Sequence, residues 1–450
     1  MTPTVDLPWL SGQIADTSVK GITQAVSGLI RDGQIAVGAQ LPAVRELAKA
    51  LGVSPATVSA AWAQMKKHKV LAGKGRGGVW VCGDNTTSRP IRFEQIGNYG
   101  DNIKADLTMA SPDPDLLPPL ERAMRAGIAS PRLNSYQREP ISPRLLRAIQ
   151  PAWPFPAQAF LATDGGFDAM NLLVQTLVSP GDRVAIEDPT ATRLLDILDN
   201  IGAEILPVPC DDEGPRADAL AVVMTKQPVL FIYQPRTHSA TGHAVSEARS
   251  QALRGVLAGS DTLIVEDDGI GELSAAPIWS LGNFFPDRTL YVRSYSKAYG
   301  PDLRLAVLSA TTELVRRIQA WRNFGVSWTS RILQDAVAWM IGDEETQRCI
   351  AHARLVYDER RGRLAAALAR RGVPVANRGC LSLYLPVTSE QYAMITLAAR
   401  GIAVLPGERC RLGQPQFIRI GTAMLPDAQL ESIAEALAIA SGRKLSRTTD

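Results

Sequence analysis

The stretch SYSKAYGPDLR, residues 294–304, joins two apolar runs, 290–293 and 304–308, that have the composition of buried strands. Lys297 in this stretch has the small hydroxyl residues Ser294 and Ser296 as neighbours, and Arg304 follows seven residues later. Most lysines are simply solvated, but open α/β sheets bind ligands at the carboxyl ends of their strands. Lys297 and Arg304 are therefore candidate ligand-binding residues.

Apolar runs of this kind alternate with helical stretches from residue 106 onward. Helices are predicted over 169–177 and 191–200, and the final part of the chain indicates a smaller α+β lobe. The alternation predicts an α/β fold with a doubly wound sheet. The predicted strands cover residues 160–163, 183–187, 204–208, 229–233, 263–266, 290–293 and 304–308.

Three further features fall where such a sheet binds ligands. The turn Gly165-Gly166 follows a strand and opens a helix, where free N–H groups and the helix dipole favour a phosphate. Asp267 lies in the acidic run EDD at the end of another strand. Arg419 lies in the apolar run FIRIGTA, where its guanidinium needs an anion from a ligand or from a protein carboxylate.

Together these residues meet the requirements of one cofactor. Pyridoxal 5'-phosphate needs a lysine amine for a Schiff base, a carboxylate that keeps its pyridine nitrogen protonated, and cations and N–H groups on its phosphate. The order of motifs, from the glycine turn through VEDP, ATG and VEDD to SYSKAYGPDLR, resembles that of fold-type I aminotransferases.

The resemblance implies a role for each residue. Lys297 would form the Schiff base, and Asp267 would pair with the pyridine nitrogen. Tyr136 would reach a phosphate across a homodimer interface. Arg419, assisted by Arg193, would bind the carboxylate of a small amino-compound effector. The phosphate and the remaining cofactor contacts would fall to Gly165, Gly166, Arg304, Ser294, Ser296 and Ser239.

Three positions depart from the aminotransferase pattern. The aromatic residue that stacks on the cofactor ring is Ala191, the asparagine of the NPTG motif is Ser239, and the residue after EDD is Gly269. Loss of these contacts weakens cofactor binding by roughly 2–4 kcal/mol, at about 1 kcal/mol for each. The departures make efficient transamination doubtful.

The first 82 residues differ from the rest in pattern and in charge. They carry a formal charge of +5, against −2 for the remaining 368. Helices are predicted over 19–30, from Pro42, and from Ser54, whose side chain can cap the third helix ahead of Pro55. A strand, a basic glycine-rich turn and a second strand follow. This order is that of a winged helix-turn-helix, and the basic charge suits a phosphate backbone.

The segment GAQLPAVRELAKALGVSPATV, residues 38–58, resembles the GntR family of bacterial regulators, and the chain as a whole resembles its MocR subfamily. The resemblance implies a homodimeric transcription regulator that binds double-stranded DNA at an operator with two half-sites. The alternative for this module, a three-helix protein-interaction domain, leaves its basic turn without a role. DNA contacts would fall to Arg45, Ser54, Ala56, Thr57, Ser59, Lys74 and Arg76.

We predict three parts: a winged helix-turn-helix over residues 1–82, a flexible linker over 83–105, and an aminotransferase-like domain over 106–450. The preferred function is a regulator whose large domain binds pyridoxal 5'-phosphate and an amino-compound effector, and thereby modulates DNA binding. Two alternatives stay open: a degenerate effector or dimerisation domain without the cofactor, and a working aminotransferase.

Composition narrows the class of protein. Apolar residues make up 46% and charged residues 21%, which is typical of a globular chain. The first residues, MTPTVDLPWLSGQ, lack a basic patch followed by an apolar core, and no apolar run is long enough to span a bilayer, so we expect neither a secretory signal nor membrane association. Its five cysteines are scattered without CxxC spacing, which argues against a disulfide framework or a zinc site. We expect a cytoplasmic, nucleoid-associated protein without a metal.

Overall fold

The computed structural model describes residues 4–31, 33–36, 38–67, 70–73, 78–82, 90–94, 103–413 and 415–442. The chain forms two compact units, Met1–Arg89 and Pro90–Asp450. Within the described ranges, no helix combines the length and the apolar character that crossing a membrane requires.

The smaller unit is built from short helices and strands. Helix α4 buries Val58 and Trp62 in the same cluster as Ile22 and Val26 of α2, and β3 pairs antiparallel with both β1 and β2. The predicted winged arrangement is confirmed, although the first helix was not predicted. The elements are α1 Leu7–Gly12, α2 Val19–Arg31, β1 Gln40–Leu41, α3 Val44–Leu51, α4 Pro55–Lys67, β2 Leu71–Ala72 and β3 Val79–Val81.

The larger unit alternates strands and helices through most of its length. Its first elements, in chain order, are α5 Ile91–Glu94, β4 Ala105–Leu107, α6 Glu121–Ile128, α7 Pro143–Ile149, β5 Ala159–Thr163, α8 Gly166–Leu177, β6 Arg183–Asp188, α9 Thr192–Ile201, β7 Glu204–Asp211, β8 Gly214–Pro215, α10 Ala217–Met224, β9 Leu230–Tyr233, α11 Glu247–Leu257 and β10 Leu263–Asp268. The later elements are β11 Thr289–Ser294, α12 Ser296–Tyr299, β12 Ala306–Ala310, α13 Thr312–Arg322, α14 Arg331–Gly342, α15 Glu344–Arg370, β13 Ser382–Pro386, α16 Glu390–Ala398, β14 Ile402–Pro406, β15 Phe417–Gly421 and α17 Leu430–Ala440.

The main sheet has the strand order β5-β12-β11-β10-β9-β6-β7-β8. The strands from β11 to β7 pair in parallel, whereas β12 runs antiparallel to both of its neighbours. Helices cover both faces: Val265 packs in one cluster with Leu173 of α8, and the adjacent Ile264 packs in another with Leu253 of α11. Successive residues of a strand face opposite sides of the sheet. Because helices cover both sides here, neighbouring strand residues such as Ile264 and Val265 must both be apolar. The predicted doubly wound sheet is confirmed.

The C-terminal lobe is the predicted smaller α+β part. Its sheet has the order β13-β15-β14-β4, and α15, α16 and α17 pack on it through residues such as Leu364, Leu397 and Leu437. Strand β4 pairs in parallel with β14, so the beginning of the larger unit contributes to its last lobe.

Two local expectations are wrong. Strand β12 begins at Ala306, and Arg304, expected to start it, has a left-handed backbone conformation with φ of 44°. Residues 83–105 are not a structureless linker throughout, because Ile91–Glu94 is helical and the strand β4 starts at Ala105. Hydrogen bonds and a salt bridge from Arg92 to Asp196 attach this short helix to α9.

Candidate functional site

A cavity of about 290 Å³ lies at the carboxyl ends of β10 and β11. Its wall combines residues of the main sheet, the first turns of α8 and α9, and the C-terminal lobe. The cavity includes most of the predicted ligand-binding residues: Gly166, Arg193, Ser239, Asp267, Ser294, Ser296, Lys297, Arg304 and Arg419.

Lys297 lies in α12, the short helix after β11, so its side chain enters the cavity from a strand end. Its Nζ donates a hydrogen bond to the carbonyl oxygen of Ala110 at 3.0 Å. Burial, together with the positive charge of Arg419, lowers the pKa of Lys297 to about 8. A larger fraction of this amine is therefore neutral near pH 7, and the neutral amine is the form that attacks an aldehyde.

Strand alternation separates the three acidic residues at the end of β10. Glu266 accepts a hydrogen bond from the Tyr233 hydroxyl, and Asp268 accepts two from Arg236, at 2.8 and 2.7 Å. Asp267 faces the cavity instead, and its carboxylate has no hydrogen bond or ion pair with the described residues. Burial and then nearby carboxylates raise the pKa of Asp267 to about 7. A protonated ring nitrogen would supply the partner that this buried group lacks.

One end of the cavity has the chemistry of a phosphate site. Gly165 precedes α8 with φ of +106°, and a Cβ atom there would lie 2.7 Å from Nη2 of Arg304. The guanidinium of Arg304 is held in place by a hydrogen bond to the carbonyl oxygen of Asp164 at 2.8 Å. The hydroxyl-bearing residues Ser294 and Ser296 line the same cavity. Helix N–H groups, a guanidinium and hydroxyls together suit a dianion.

Arg419 enters the cavity from β15. Its Nη2 donates to the carbonyl oxygen of Thr108 at 2.8 Å, and its buried Nε has no hydrogen-bond partner. Burial lowers the pKa of Arg419. No carboxylate within the described ranges forms an ion pair with Arg419. Of the two sources of an anion that the sequence allowed, a ligand is therefore favoured over a protein carboxylate.

Arg193 lies on α9 between two aromatic rings. Its guanidinium carbon is 3.6 Å from the ring centre of Phe93 and 4.6 Å from that of Phe167. Its buried Nε has no hydrogen-bond partner. Both aromatic residues line the cavity, yet sequence reasoning missed them. Phe93 was assigned to the linker, where the aromatic and basic residues of RPIRFE were the available signal.

The three departures from the aminotransferase pattern all line this cavity, at Ala191, Ser239 and Gly269. Ala191 precedes α9 and presents only a methyl group. The N–H of Ser239 donates to Oε1 of Gln234 at 2.9 Å. A Cβ atom at Gly269 would approach the Asp267 carboxylate no closer than 3.7 Å, so the site has room for a larger residue. Lys297, Asp267 and the phosphate corner nevertheless converge, and these residues fit pyridoxal 5'-phosphate.

Tyr136 is not part of this cavity. Its side chain is 89% exposed and meets Trp328 edge-on, with 6.1 Å between the ring centres. The predicted contact across a dimer interface stays a prediction.

The candidate DNA-binding residues lie on α3 and at the start of α4. Arg45, Ala56 and Ser59 are exposed. The Ser54 hydroxyl accepts the Thr57 N–H at 3.2 Å and lies 2.9 Å from the Thr57 hydroxyl, as expected for a helix cap. Lys74 and Arg76, expected in the wing, lie outside the described residues.

The fold and the site thus define a winged-helix protein with a fold-type I aminotransferase domain. Residues 19–81 match the model of bacterial regulatory proteins of the gntR family, and residues 107–437 match that of aminotransferase class I and II.

Individual proteins give the same result. The vitamin B6 salvage pathway transcriptional repressor PtsJ of Salmonella typhimurium is 31% identical over 401 residues, which is 88% of this chain and 91% of that protein. The pyridoxine biosynthesis transcriptional regulator PdxR of Corynebacterium glutamicum is 26% identical, covering 89% of this chain and 90% of that one. The α-aminoadipate aminotransferase LysN of Thermus thermophilus superposes with a TM-score of 0.68 at 22% identity, covering 85% of this chain and 98% of that one.

The chain belongs to the gntR family of bacterial regulatory proteins, in the MocR-type group that carries an aminotransferase class I and II domain. It is a DNA-binding transcription regulator.

Proposed function

We propose that this regulator responds to pyridoxal 5'-phosphate, which the large unit binds through Lys297. The observation that carries the proposal is the convergence, in one cavity, of the Lys297 amine, the unpartnered Asp267 carboxylate and the corner formed by Gly166 and Arg304. The names of the relatives PtsJ and PdxR, both of which refer to vitamin B6, favour the same ligand. When bound, pyridoxal 5'-phosphate supplies an aldehyde that bonds reversibly to amines and a ring that withdraws electrons from them.

Different residues of this chain would bind different parts of pyridoxal 5'-phosphate. Lys297 would hold the ligand through its amine, Asp267 would face the ring nitrogen and favour its protonated form, and Arg304 with the first turn of α8 would bind the phosphate. The Arg419 guanidinium, whose buried Nε has no hydrogen-bond partner among the described residues, would bind the carboxylate of an amino compound, and Arg193 lines the same cavity. A second ligand of this class would therefore modulate the response.

Helix α5 is the first described element of the larger unit and contributes to the cavity wall. Its Phe93 lines the cavity and stacks on Arg193. The N–H groups of Arg92 and Phe93 donate to the Asp196 carboxylate of α9, at 3.3 and 3.0 Å. We infer that a ligand which shifts α9 also shifts α5, and with it the chain that leads to the winged helix.

The regulator acts as a homodimer at an operator with two half-sites. Tyr136 is 89% exposed, so its side chain is available to a partner subunit, and the aminotransferase resemblance assigns it to the partner's phosphate site. In the DNA-binding unit, Arg45, Ala56, Thr57 and Ser59 form the recognition surface, with Ser54 as the cap of α4. Such a protein works on the chromosome, so we place it in the cytoplasm at the nucleoid.

The visible absorption spectrum of the full-length protein with added pyridoxal 5'-phosphate tests the proposal. We expect a new band in the wild type and in the surface control Lys226→Ala, and no such band in Lys297→Ala. Binding to DNA upstream of its own gene should change on addition of the ligand in the first two proteins alone. No band in the wild type would mean that the changes at Ala191, Ser239 and Gly269 abolish binding, and would favour a cofactor-free scaffold.

A further inference from the structure

A second cluster of polar side chains lies at the ends of β6 and β7. It consists of Glu187 on β6, Cys210 on β7, and His243 in the loop between β9 and α11. One carboxylate oxygen, the sulfur and one ring nitrogen lie within 4.8 Å of one another. Because each residue comes from a different element, spacing along the sequence does not reveal the cluster.

Two atoms in the cluster lack hydrogen-bond partners. Glu187 is 1% exposed, and its Oε1 accepts hydrogen bonds from the backbone N–H and Nε2 of Gln234, both at 3.0 Å. Its Oε2 lies 4.0 Å from Nε2 of His243. Oε2 of Glu187 and Nε2 of His243 are both buried, and neither has a hydrogen-bond partner among the described residues. Leaving such groups unpaired in a buried place is costly, so their facing arrangement favours a ligand between them.

The hydrogen bonds around two histidines are compatible with a His243 ring that has its lone pair on Nε2. The N–H groups of Ala240 and Thr241 donate to Nδ1 of His238, at 3.2 and 3.1 Å, so this nitrogen carries no proton. The Thr241 hydroxyl lies 2.9 Å from the same Nδ1 and 2.7 Å from Nδ1 of His243. A hydroxyl that donates to His238 accepts from the Nδ1–H of His243, and this arrangement leaves the lone pair of His243 on Nε2, facing Glu187.

This is the arrangement of a metal-binding histidine, whose second ring nitrogen donates a hydrogen bond to an acceptor that fixes its tautomer and orientation. His238 is not one of the ligands. Its Nδ1 already accepts hydrogen bonds from backbone N–H groups, and its Nε2 lies 3.4 Å from Oε1 of Glu187, the carboxylate oxygen that does not face His243. Its ring stacks on that of His243, with 4.5 Å between the centres.

We propose that Glu187, Cys210 and His243 bind one Zn²⁺ ion and leave its fourth position to water. A mixed set of oxygen, sulfur and nitrogen ligands suits zinc and excludes the hard cations Ca²⁺ and Mg²⁺. The thiol proton of Cys210 is released to solvent when the sulfur–zinc bond forms. One thiolate and one carboxylate then neutralise the two charges of the ion, which burial requires. Zinc–ligand bonds of about 2.0–2.3 Å need the three atoms to close by less than about 1 Å.

The site would stabilise one wall of the ligand cavity. The loop between His238 and His243 carries Ser239, and both His238 and Ser239 line that cavity. A zinc ion would join this loop to β6 and β7. The inference does not depend on pyridoxal 5'-phosphate, because none of the three ligands belongs to the cofactor site.

Metal analysis of the full-length, tag-free protein provides the first test. After incubation with Zn²⁺ and desalting, we expect about one zinc ion per chain in the wild type and at least tenfold less in Cys210→Ala and His243→Gln. The matched controls are Cys349→Ala and His352→Gln, both on α15, which should retain the ion. A wild type that retains no zinc, or variants that retain as much as the wild type, would overturn the proposal.

Co²⁺ provides a second readout that does not depend on variants folding well. Wild-type protein loaded with Co²⁺ should show the near-ultraviolet absorption of a thiolate–cobalt bond, and so should the Cys349→Ala control. Absence of this band from the wild type would also overturn the site. Because apoprotein without pyridoxal 5'-phosphate is used, failure here leaves the proposed function untouched.

Discussion

Lys297 carries a prediction about pH. Burial and Arg419 lower the pKa of its amine from 10.5 to about 8, so the amine loses its proton as the pH rises through about 8. Below that value the neutral fraction grows about tenfold per pH unit, and above it the fraction is constant. The rate at which the lysine-dependent absorption band appears should therefore rise with pH and level off above about 8.

The reference for this measurement is the reaction of pyridoxal 5'-phosphate with a free lysine side chain, whose pKa is about 10.4. Dividing the two rates removes the ionisation of the ligand itself. A normalised rate for the protein that does not decrease from pH 7 to pH 9 would show that the Lys297 amine ionises like an exposed one.

Ser239 offers a way to restore a lost contact. The sequence pattern predicts that asparagine at this position would reach the phenolic oxygen of pyridoxal 5'-phosphate, and Ser239 lines the cavity. Ser239→Asn should tighten binding by about fivefold, for one hydrogen bond worth about 1 kcal/mol. Titration of the absorption band measures the affinity, with the exposed Ser179→Asn as control. Unchanged or weaker binding would count against this orientation of the ligand.

Among the secondary-structure elements, those with a regular spacing of apolar residues could be predicted from the sequence. The buried strands of the main sheet and the buried face of α4 follow from apolar spacing, and Ser54 from its cap position. The positions of Lys297 and Asp267 followed from strand ends. The conformation of Arg304 and the packing of Phe93 on Arg193 did not follow, because they depend on contacts between distant parts of the chain.

Helix α5 carries a prediction about coupling. Arg92 is 29% exposed in its side chain and pairs with Asp196, whose side chain is 6% exposed, and with Asp199, so Arg92→Ala should cost about 1–3 kcal/mol in the free energy of unfolding. Affinity for pyridoxal 5'-phosphate should change little. The change in DNA affinity that the ligand causes should decrease, because α5 keeps only its backbone hydrogen bonds to Asp196 and the Phe93 contact with Arg193.

Fluorescence anisotropy of labelled operator DNA, with and without ligand, measures this coupling. The matched control is Arg183→Ala, which removes a surface ion pair with Glu204 on the same unit. Full coupling in the Arg92 variant would rule out α5 as the route.

At the scale of the whole molecule, the segment around residues 321–328 forms an apolar surface that is exposed in the single chain. Phe324 is 89% exposed and Val326 is 62% exposed, and Trp321 lies 5.9 Å from the Phe324 ring. Trp328 in the same segment contacts Tyr136, the residue that the aminotransferase resemblance assigns to a partner's phosphate site. Apolar residues of this size and number at one place indicate an interface. We infer that this surface is part of the homodimer contact.

Phe324→Asp should therefore convert the dimer to a monomer, because it places a charge in the interface. Light scattering measures the mass, and the control Leu355→Asp changes a residue of α15 that is 71% exposed. The monomer should also bind operator DNA more weakly, since it engages one half-site at a time. Tyr136→Phe should keep the dimer but bind pyridoxal 5'-phosphate more weakly, through loss of its hydroxyl. A monomeric wild type, or a dimer that Phe324→Asp leaves intact, would place the interface elsewhere or exclude it.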